Sequence, residues 1–258
     1  MLIIVLFSYL FRYFCHPKNV TKCEGIIVNK NDDHTTEITD KIVAFLTEFS
    51  GIRPHYTRNH LHRSRIDTNR EIHQSTFDYP LMVNAYQEYH GLINKACKTI
   101  QGPGVFIEIH GHSAQSYKTP YILLGYNTKK KEYANKTLTN SDKCSIKNLI
   151  ARSDYSMDAL LRGDESLGYF IAKNGFPRVM PSPIVPNPAT VRGYYRGGDN
   201  IRKYGPFGDG SQLDSIQIEI HKAYNRDITK IAKAIARSIH EWFKLHYGTL
   251  PRQRCDVQ

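Results

Sequence analysis

The sequence predicts an α/β domain, because segments with strand period and segments with helix period occur in one chain. Apolar and polar residues alternate as in a β-strand at 105–113 and 214–221. Apolar residues are spaced as one helix face at 35–49, 79–100 and 227–247. At 258 residues, 40% of them hydrophobic, the chain is long enough for one such domain.

The two strand-like segments place chemically active side chains on single faces. Successive side chains of a strand point to opposite faces, so Glu108 shares a face with His110, and Gln217 shares one with Glu219. These residues come near the carboxyl ends of their strands, where ligand sites form in open α/β sheets. The pattern predicts a metal-dependent hydrolase site that uses His110 and Glu219.

The amino-terminal residues 1–14 are apolar, and two interpretations fit them. They resemble the apolar core of a signal peptide, or Leu2–Phe7 is a buried first strand. They are too short to span a bilayer, so no membrane span is expected. We divide the chain into a segment at 1–22 and one domain at 23–250. Secretion or a cytoplasmic location depends on which interpretation holds.

Charge and cysteine content narrow the class of protein. The formal net charge of +11 favours an anionic partner or serves only solubility. The five cysteines are scattered and form no Cys-x-x-Cys pair, which disfavours a cysteine zinc site and a disulfide framework. The oligomeric state leaves no signal in the sequence.

The start of the helix at 35–49 offers candidate metal ligands. His34 and Glu37 are three residues apart, so on a helix they are neighbours that could hold one ion, and Asp32 lies just before them. The alternative is helix capping by Asp33 or Thr35.

An arginine-rich stretch at 54–71 offers candidate anion ligands. The guanidinium groups of Arg63, Arg65 and Arg70 suit bidentate capture of a carboxylate. A basic surface loop is the alternative. Asp67 stands among these arginines and would weaken a phosphate-binding patch, so nucleic acid is not an expected partner.

The long loop at 180–204 is a candidate substrate lid, because structureless loops of this length are uncommon unless functional. Its candidate contacts are Arg192, Tyr194, Tyr195 and Arg196. An irregular surface excursion is the alternative.

These motifs together resemble known hydrolases. The segments 67–70 (Asp-Thr-Asn-Arg), 106–113 and 209–219 resemble the Asp-x-Asn-Arg segment, the metal-histidine strand and the catalytic-glutamate strand of zinc carboxypeptidases. The closer resemblance is to the animal branch of the N-formylglutamate amidohydrolase-like family, over 32–247. It is carried by Arg-Ser-Arg-Ile-Asp-Thr-Asn-Arg-Glu, Ile-His-Gly, Leu-Leu-Arg-Gly, Tyr-Tyr-x-Gly-Gly and Ile-Gln-Ile-Glu.

The resemblance implies a fold and a metal. The fold is a three-layer α/β/α arrangement with a mixed twisted sheet, like that of the zinc exopeptidases. One zinc ion is implied, with His110 as a ligand. Glu108 and His112 would not bind the zinc but would orient His110. Glu219 is implied as the general base that activates water and protonates the leaving amine.

The implied reaction is hydrolysis of an amide bond in a small anionic N-acyl amino acid or peptide. Asn69 and Arg70 would hold the substrate carboxylate, with Arg63 or Arg65 nearby. A metallocarboxypeptidase-like peptidase is an alternative within the same fold.

The amino end departs from the family. The family's Pro-His-x-Gly segment supplies a metal ligand, but this chain has only Cys15-His16-Pro17 there. Asp32, His34 and Glu37 are therefore the candidates for the remaining ligands. An incomplete ligand set would give the second alternative, a non-catalytic basic binding protein of the same fold.

Overall fold

A six-stranded mixed sheet forms the centre of the protein. The computed structural model describes residues 32–113, 120–188, 193–208 and 211–248, and the backbone of 2–7. The strands are β1 Leu2–Phe7, β2 His55–Asn59, β3 Gly104–His112, β4 Ile122–Gly125, β5 Val179–Met180 and β6 Leu213–His221. Their order is β2-β1-β3-β6-β4-β5. The β4–β6 pairing is antiparallel and the other pairings are parallel.

Eight α-helices accompany the sheet in the described residues. They are α1 Thr35–Ser50, α2 Ile72–Thr76, α3 Pro80–Thr99, α4 Lys147–Arg152, α5 Met157–Arg162, α6 Leu167–Lys173, α7 Asp199–Tyr204 and α8 Ile228–Tyr247. None of these helices is both long and apolar enough to cross a bilayer.

Two hydrophobic clusters show that helices cover both faces of the sheet. The larger cluster packs α1 and α8 against the apolar face of β3 and β6, which includes Ile107 and Ile218. The smaller cluster packs α3 and α7 against the opposite face, through Phe106 and Leu213. Burial of apolar side chains on both faces drives this arrangement. The predicted α/β fold with three layers and a mixed sheet is confirmed.

The register between β3 and β6 sets the position of the polar residues. His110 is paired with Glu219 and Glu108 with Gln217 in this parallel pair. Paired residues of neighbouring strands point to the same face, so these four side chains share the face that carries Phe106. The sequence predicted, for each strand separately, which polar residues share a face. The register shows that the polar residues of both strands lie on the same side of the sheet.

Several predicted elements match the structure, and others do not. The helices predicted at 35–49, 79–100 and 227–247 are α1, α3 and α8. Residues 2–7 form β1, between β2 and β3 in the sheet, as the strand interpretation of the amino-terminal residues expects. The division of the chain into 1–22 and 23–250 stays a prediction. Cys15-His16-Pro17, Arg192 and residues 209–210 lie outside the described residues.

The loop predicted at 180–204 is shorter in the structure, because its end forms α7. Residues 193–198, here named the covering segment, lie against β4. A Cβ atom on Gly125 would be 2.7 Å from the carbonyl carbon of Arg196, so only glycine permits this contact. The Asn127 amide also donates a 2.6 Å hydrogen bond to the Arg196 carbonyl.

A buried histidine connects α3 to α7. His90 Nδ1 is hydrogen-bonded to the Tyr204 hydroxyl, and its ring stacks on that of Tyr204. Burial lowers the pKa of His90 to about 3, and the charge of Lys203 acts in the same direction. His90 is therefore neutral in the folded protein at pH 7.

This shift predicts acid sensitivity. A histidine whose pKa is lower in the folded state stabilises the protein fully above the unfolded value of about 6.5, and this stability is lost as the pH falls towards the folded pKa. For His90 we expect a loss of about 2 kcal/mol in the free energy of unfolding between pH 7 and pH 5. His90→Gln should lose less, as measured by urea unfolding at both pH values.

His73→Gln is the matched control, since the His73 side chain is 79% exposed. It should keep the pH dependence of the wild type. Identical pH dependence in His90→Gln and the wild type would contradict the assignment.

Candidate functional site

His110 and Glu219 meet in a cavity of about 960 Å³ at the carboxyl ends of β3 and β6. The cavity walls carry more basic than acidic side chains. The basic ones are Arg63, Arg70, Arg196, Arg202 and Lys222, and the acidic ones are Asp32, Asp33, Asp199 and Glu219. The cavity thus combines an imidazole, carboxylates and guanidinium groups where the strand pattern predicted a site.

His110 is buried between carboxylates. Its Nδ1 lies 2.9 Å from Asp32 Oδ2, and its Nε2 lies 3.4 Å from Glu108 Oε2. Burial by itself lowers the pKa of His110, but the charge of Glu108 and the hydrogen bond to Asp32 raise it well above the usual 6.5. The charged imidazole is thus favoured because both ring nitrogens face carboxylate oxygens.

Glu219 is buried beside His110. Burial raises the pKa of Glu219 to about 8, and the charge of Asp32 acts in the same direction, whereas that of His110 lowers it. Its Oε1 accepts a 2.7 Å hydrogen bond from Gln217 Nε2. A carboxyl group that can exchange a proton near neutral pH is suited to acid–base chemistry.

Asp67 holds two arginines at the cavity wall. Arg63 Nε donates to Asp67 Oδ2 at 2.9 Å, and Arg70 Nε lies 3.6 Å from the same oxygen. Asp67 and Arg63 are largely buried, whereas the Arg70 side chain is half-exposed. The carboxylate among the arginines therefore orients guanidinium groups, which explains why it stands in a basic stretch. Arg65 does not line this cavity, which corrects its predicted place beside the substrate.

Asn69 lines the cavity but is engaged with protein atoms. Its Oδ1 accepts a 3.1 Å hydrogen bond from the Asn200 amide, and its Nδ2 lies 3.5 Å from His110 Nε2. A Cβ atom on Gly198 would be 2.3 Å from Asn69 Nδ2, so this glycine permits the close packing. These contacts fix the orientation of Asn69.

Two predicted supporting residues lie beside His110. Glu108 is fully buried and accepts a 3.0 Å hydrogen bond from Asn200 Nδ2. His112 Nε2 lies 2.9 Å from the Tyr121 carbonyl oxygen and donates to it. Burial lowers the pKa of His112 to about 4, so this imidazole is neutral at pH 7.

His34 and Glu37 do not reach the cavity. Their side chains are 53% and 55% exposed and lie 3.7 Å from each other, and neither lines the cavity. His34 precedes α1 with a positive φ of 59°, and Thr35 Oγ1 donates to the Asp32 carbonyl. The prediction that His34 and Glu37 ligate a metal together with His110 is therefore wrong.

The described side chains do not by themselves fit a zinc ion. Catalytic zinc takes three protein ligands, usually nitrogen and oxygen atoms. His110 Nδ1 and Asp32 Oδ2 are two suitable donors that face each other. Within residues 32–113, 120–188, 193–208 and 211–248, however, no three His, Cys, Asp or Glu side chains are arranged to hold a metal.

The sequence did not single out every residue of the cavity. The strand pattern places Gln217 on the face of Glu219 but indicates no role for it, and it gives no signal for Asp199 and Arg202 in the cavity or for the buried Asn200. The glycine pair Gly197-Gly198, close to these residues, was the available signal. Tyr194, Tyr195 and Arg196 of the candidate lid line the cavity, and their role as a lid stays a prediction.

The role of Asp67 can be tested by stability. Asp67→Asn should lower the free energy of unfolding by about 2 kcal/mol, because partly buried Arg63 loses its closest charged partner. Asp40→Asn is the control, since Asp40 and Arg58 form an exposed pair. We expect a change within about 1 kcal/mol there. Equal effects in urea unfolding would refute the distinction.

Comparisons with known proteins found a distant structural likeness and no match in sequence. No family model and no curated protein matches the chain. Among solved structures, it is similar to the CwlD amidase from Clostridioides difficile, solved in complex with the GerS lipoprotein, with a TM-score of 0.36 and 13% sequence identity. The alignment covers 94% of this chain and 98% of the amidase. So loose a superposition carries no argument about activity, and the resemblance to the N-formylglutamate amidohydrolase-like family stays a prediction.

Proposed function

We propose that this protein hydrolyses an amide bond in a small anionic N-acyl amino acid or peptide. The observation that carries the proposal is the juxtaposition of His110 and Glu219 in a cavity walled by arginines. Acid–base groups and an anion-binding wall in one cavity are what such a hydrolase needs.

The basic wall supplies binding. Arg63 and Arg70 both approach Asp67, and both side chains line the cavity. Guanidinium groups bind carboxylates through paired hydrogen bonds, so a substrate carboxylate would lie against this wall. The amide carbonyl would then extend towards His110.

Glu219 is the residue that we assign to proton transfer. As a carboxylate it would accept a proton from the attacking water, and as a carboxylic acid it would return that proton to the leaving amine. The hydrogen bond from Gln217 leaves the second carboxyl oxygen of Glu219 for this work. His110, held by Asp32 and Glu108, would place positive charge near the carbonyl oxygen.

The zinc ion implied by the sequence resemblance stays a prediction, which assays with and without added zinc test. His110 and Asp32 are the described residues that could contribute to it. When bound, zinc would polarise the carbonyl and lower the pKa of water. No step described above depends on it.

The first test is Glu219→Gln. Removal of the proton-transfer group should lower kcat on the order of 100-fold or more. Release of free amine from N-formyl and N-acetyl amino acids, with and without added zinc, measures turnover. Glu37→Gln is the matched control, because Glu37 is exposed outside the cavity. Unchanged turnover in Glu219→Gln would remove this residue from the mechanism.

The second test concerns the basic wall. Arg70→Gln should weaken binding of an N-acyl dicarboxylic amino acid by about tenfold or more, since a charge-assisted hydrogen bond is lost. Arg65→Gln should leave the affinity unchanged, because Arg65 lies outside the cavity. Isothermal titration calorimetry measures both. Equal loss in the two variants would point to nonspecific charge attraction.

A second candidate is a non-catalytic protein that binds the same anions. Two observations favour it. Both ring nitrogens of His110 face carboxylates, and among the described residues no third His, Cys, Asp or Glu joins His110 and Asp32 to hold a metal, which leaves one ligand fewer than catalytic zinc takes. Binding without amine release, in zinc-supplemented and in chelator-treated protein, would support this candidate and overturn hydrolysis.

A further inference from the structure

Gln217 is buried in β6 close to Glu219, and the proposed reaction gives it no role. It is 4% exposed and lies two residues before Glu219 on the same face of β6. It is paired with Glu108 on β3 and with Gly125 on β4. The side chain therefore stands between the two neighbouring strands and the covering segment.

The amide of Gln217 forms two hydrogen bonds that fix its orientation. Its Oε1 accepts from the Gly198 backbone N–H at 2.8 Å, and its Nε2 donates to Glu219 Oε1 at 2.7 Å. A backbone N–H can only donate, so the carbonyl end must face Gly198 and the NH₂ end must face Glu219. The covering segment thus determines which end of the Gln217 side-chain amide faces Glu219.

The covering segment is itself held at this distance. Arg196 packs on Gly125, where a Cβ atom would be 2.7 Å away, and Gly198 packs on Asn69. The Tyr194 hydroxyl donates to the Leu124 carbonyl. The segment therefore presents the Gly198 N–H at a defined point above β6.

We propose that Gln217 is a positioning residue that transmits the location of the covering segment to Glu219. Its NH₂ group holds Glu219 Oε1, so Oε2 is directed to the cavity only while Gly198 is in place. The inference rests on the proposed function, because positioning matters for a Glu219 that transfers protons. Replacement of Gln217 should lower kcat with little change in KM, since Gln217 is directed at Glu219 and Gly198 and not at the anion-binding wall.

Two substitutions separate the two hydrogen bonds. Gln217→Met removes both, whereas Gln217→Glu keeps an acceptor for Gly198 and replaces the donor to Glu219. Gln212→Met is the control, because Gln212 is exposed and lies just before the start of β6, outside the cavity that holds Glu219. All three variants are made in the full chain.

Two measurements are independent of activity. Hydrogen exchange of the Gly198 amide should be about tenfold faster in Gln217→Met and close to wild type in Gln217→Glu. The side-chain carboxyl ¹³C resonance of Glu219, assigned with Glu219→Gln, should shift in both Gln217 variants. Neither should change in Gln212→Met. Unchanged exchange in Gln217→Met, or an unshifted resonance in either Gln217 variant, would overturn the proposal.

Turnover gives the third measurement. Both Gln217 variants should lose kcat on the order of 10- to 100-fold with KM changed less than about threefold. Normal kcat together with a shifted Glu219 resonance would overturn the positioning role. If the wild type shows no turnover, the proposed hydrolysis fails, and the exchange and resonance results still decide whether Gln217 positions Glu219.

Discussion

The register between β3 and β6 is the constraint on which the site depends. It brings His110 beside Glu219 and Glu108 beside Gln217 on one face, and all four side chains are buried. Burial of ionisable groups costs several kcal/mol each unless they are paired or hydrogen-bonded. A shift of one residue in either strand would place its polar side chains among the isoleucines of the opposite face. Burial of the apolar face of β3 and β6 therefore fixes the register. The register in turn places the four polar side chains next to one another in the candidate site.

The cost of burial is offset by polar partners, two of which come from distant parts of the chain. Asp32 reaches His110 from the residues before α1, and Asn200 reaches Glu108 from the first turn of α7. Gln217 supplies a donor to Glu219 from the same strand. Each of these partners donates to a carboxylate or accepts from an imidazole, so each matches the charge that it meets. The site is thus assembled from contacts that no single segment contains, and its stability depends on α7 and the covering segment as much as on the strands.

Much of the fold could be predicted from sequence, because strand and helix periods are local properties. The faces of β3 and β6 and the extents of α1, α3 and α8 followed from them. The edge strand β2 was missed, since one side of an edge strand meets solvent and its residues need not be apolar. The spacing of His34 and Glu37 correctly placed them as neighbours but could not show that they face solvent. The contacts of Gln217 with Gly198 and of Asn200 with Glu108 join residues that are apart in the sequence, and one sequence does not reveal such contacts.

The electrostatics of the cavity differ from those of the whole chain. A net charge of +11 attracts anions to the protein in general but does not select among them. In the cavity, Asp67 pairs with Arg63 and approaches Arg70, and Asp199 pairs with Arg202, so these two carboxylates balance part of the guanidinium charge. Asp67 also orients Arg63, because Asp67 accepts a hydrogen bond from the Asn69 backbone N–H and another from Arg63 Nε. Under the proposed function, a ligand would be selected by the match between its carboxylate and the orientation of these guanidinium groups, whereas a polyanion without that geometry would gain only the weaker, salt-screened attraction of the surface.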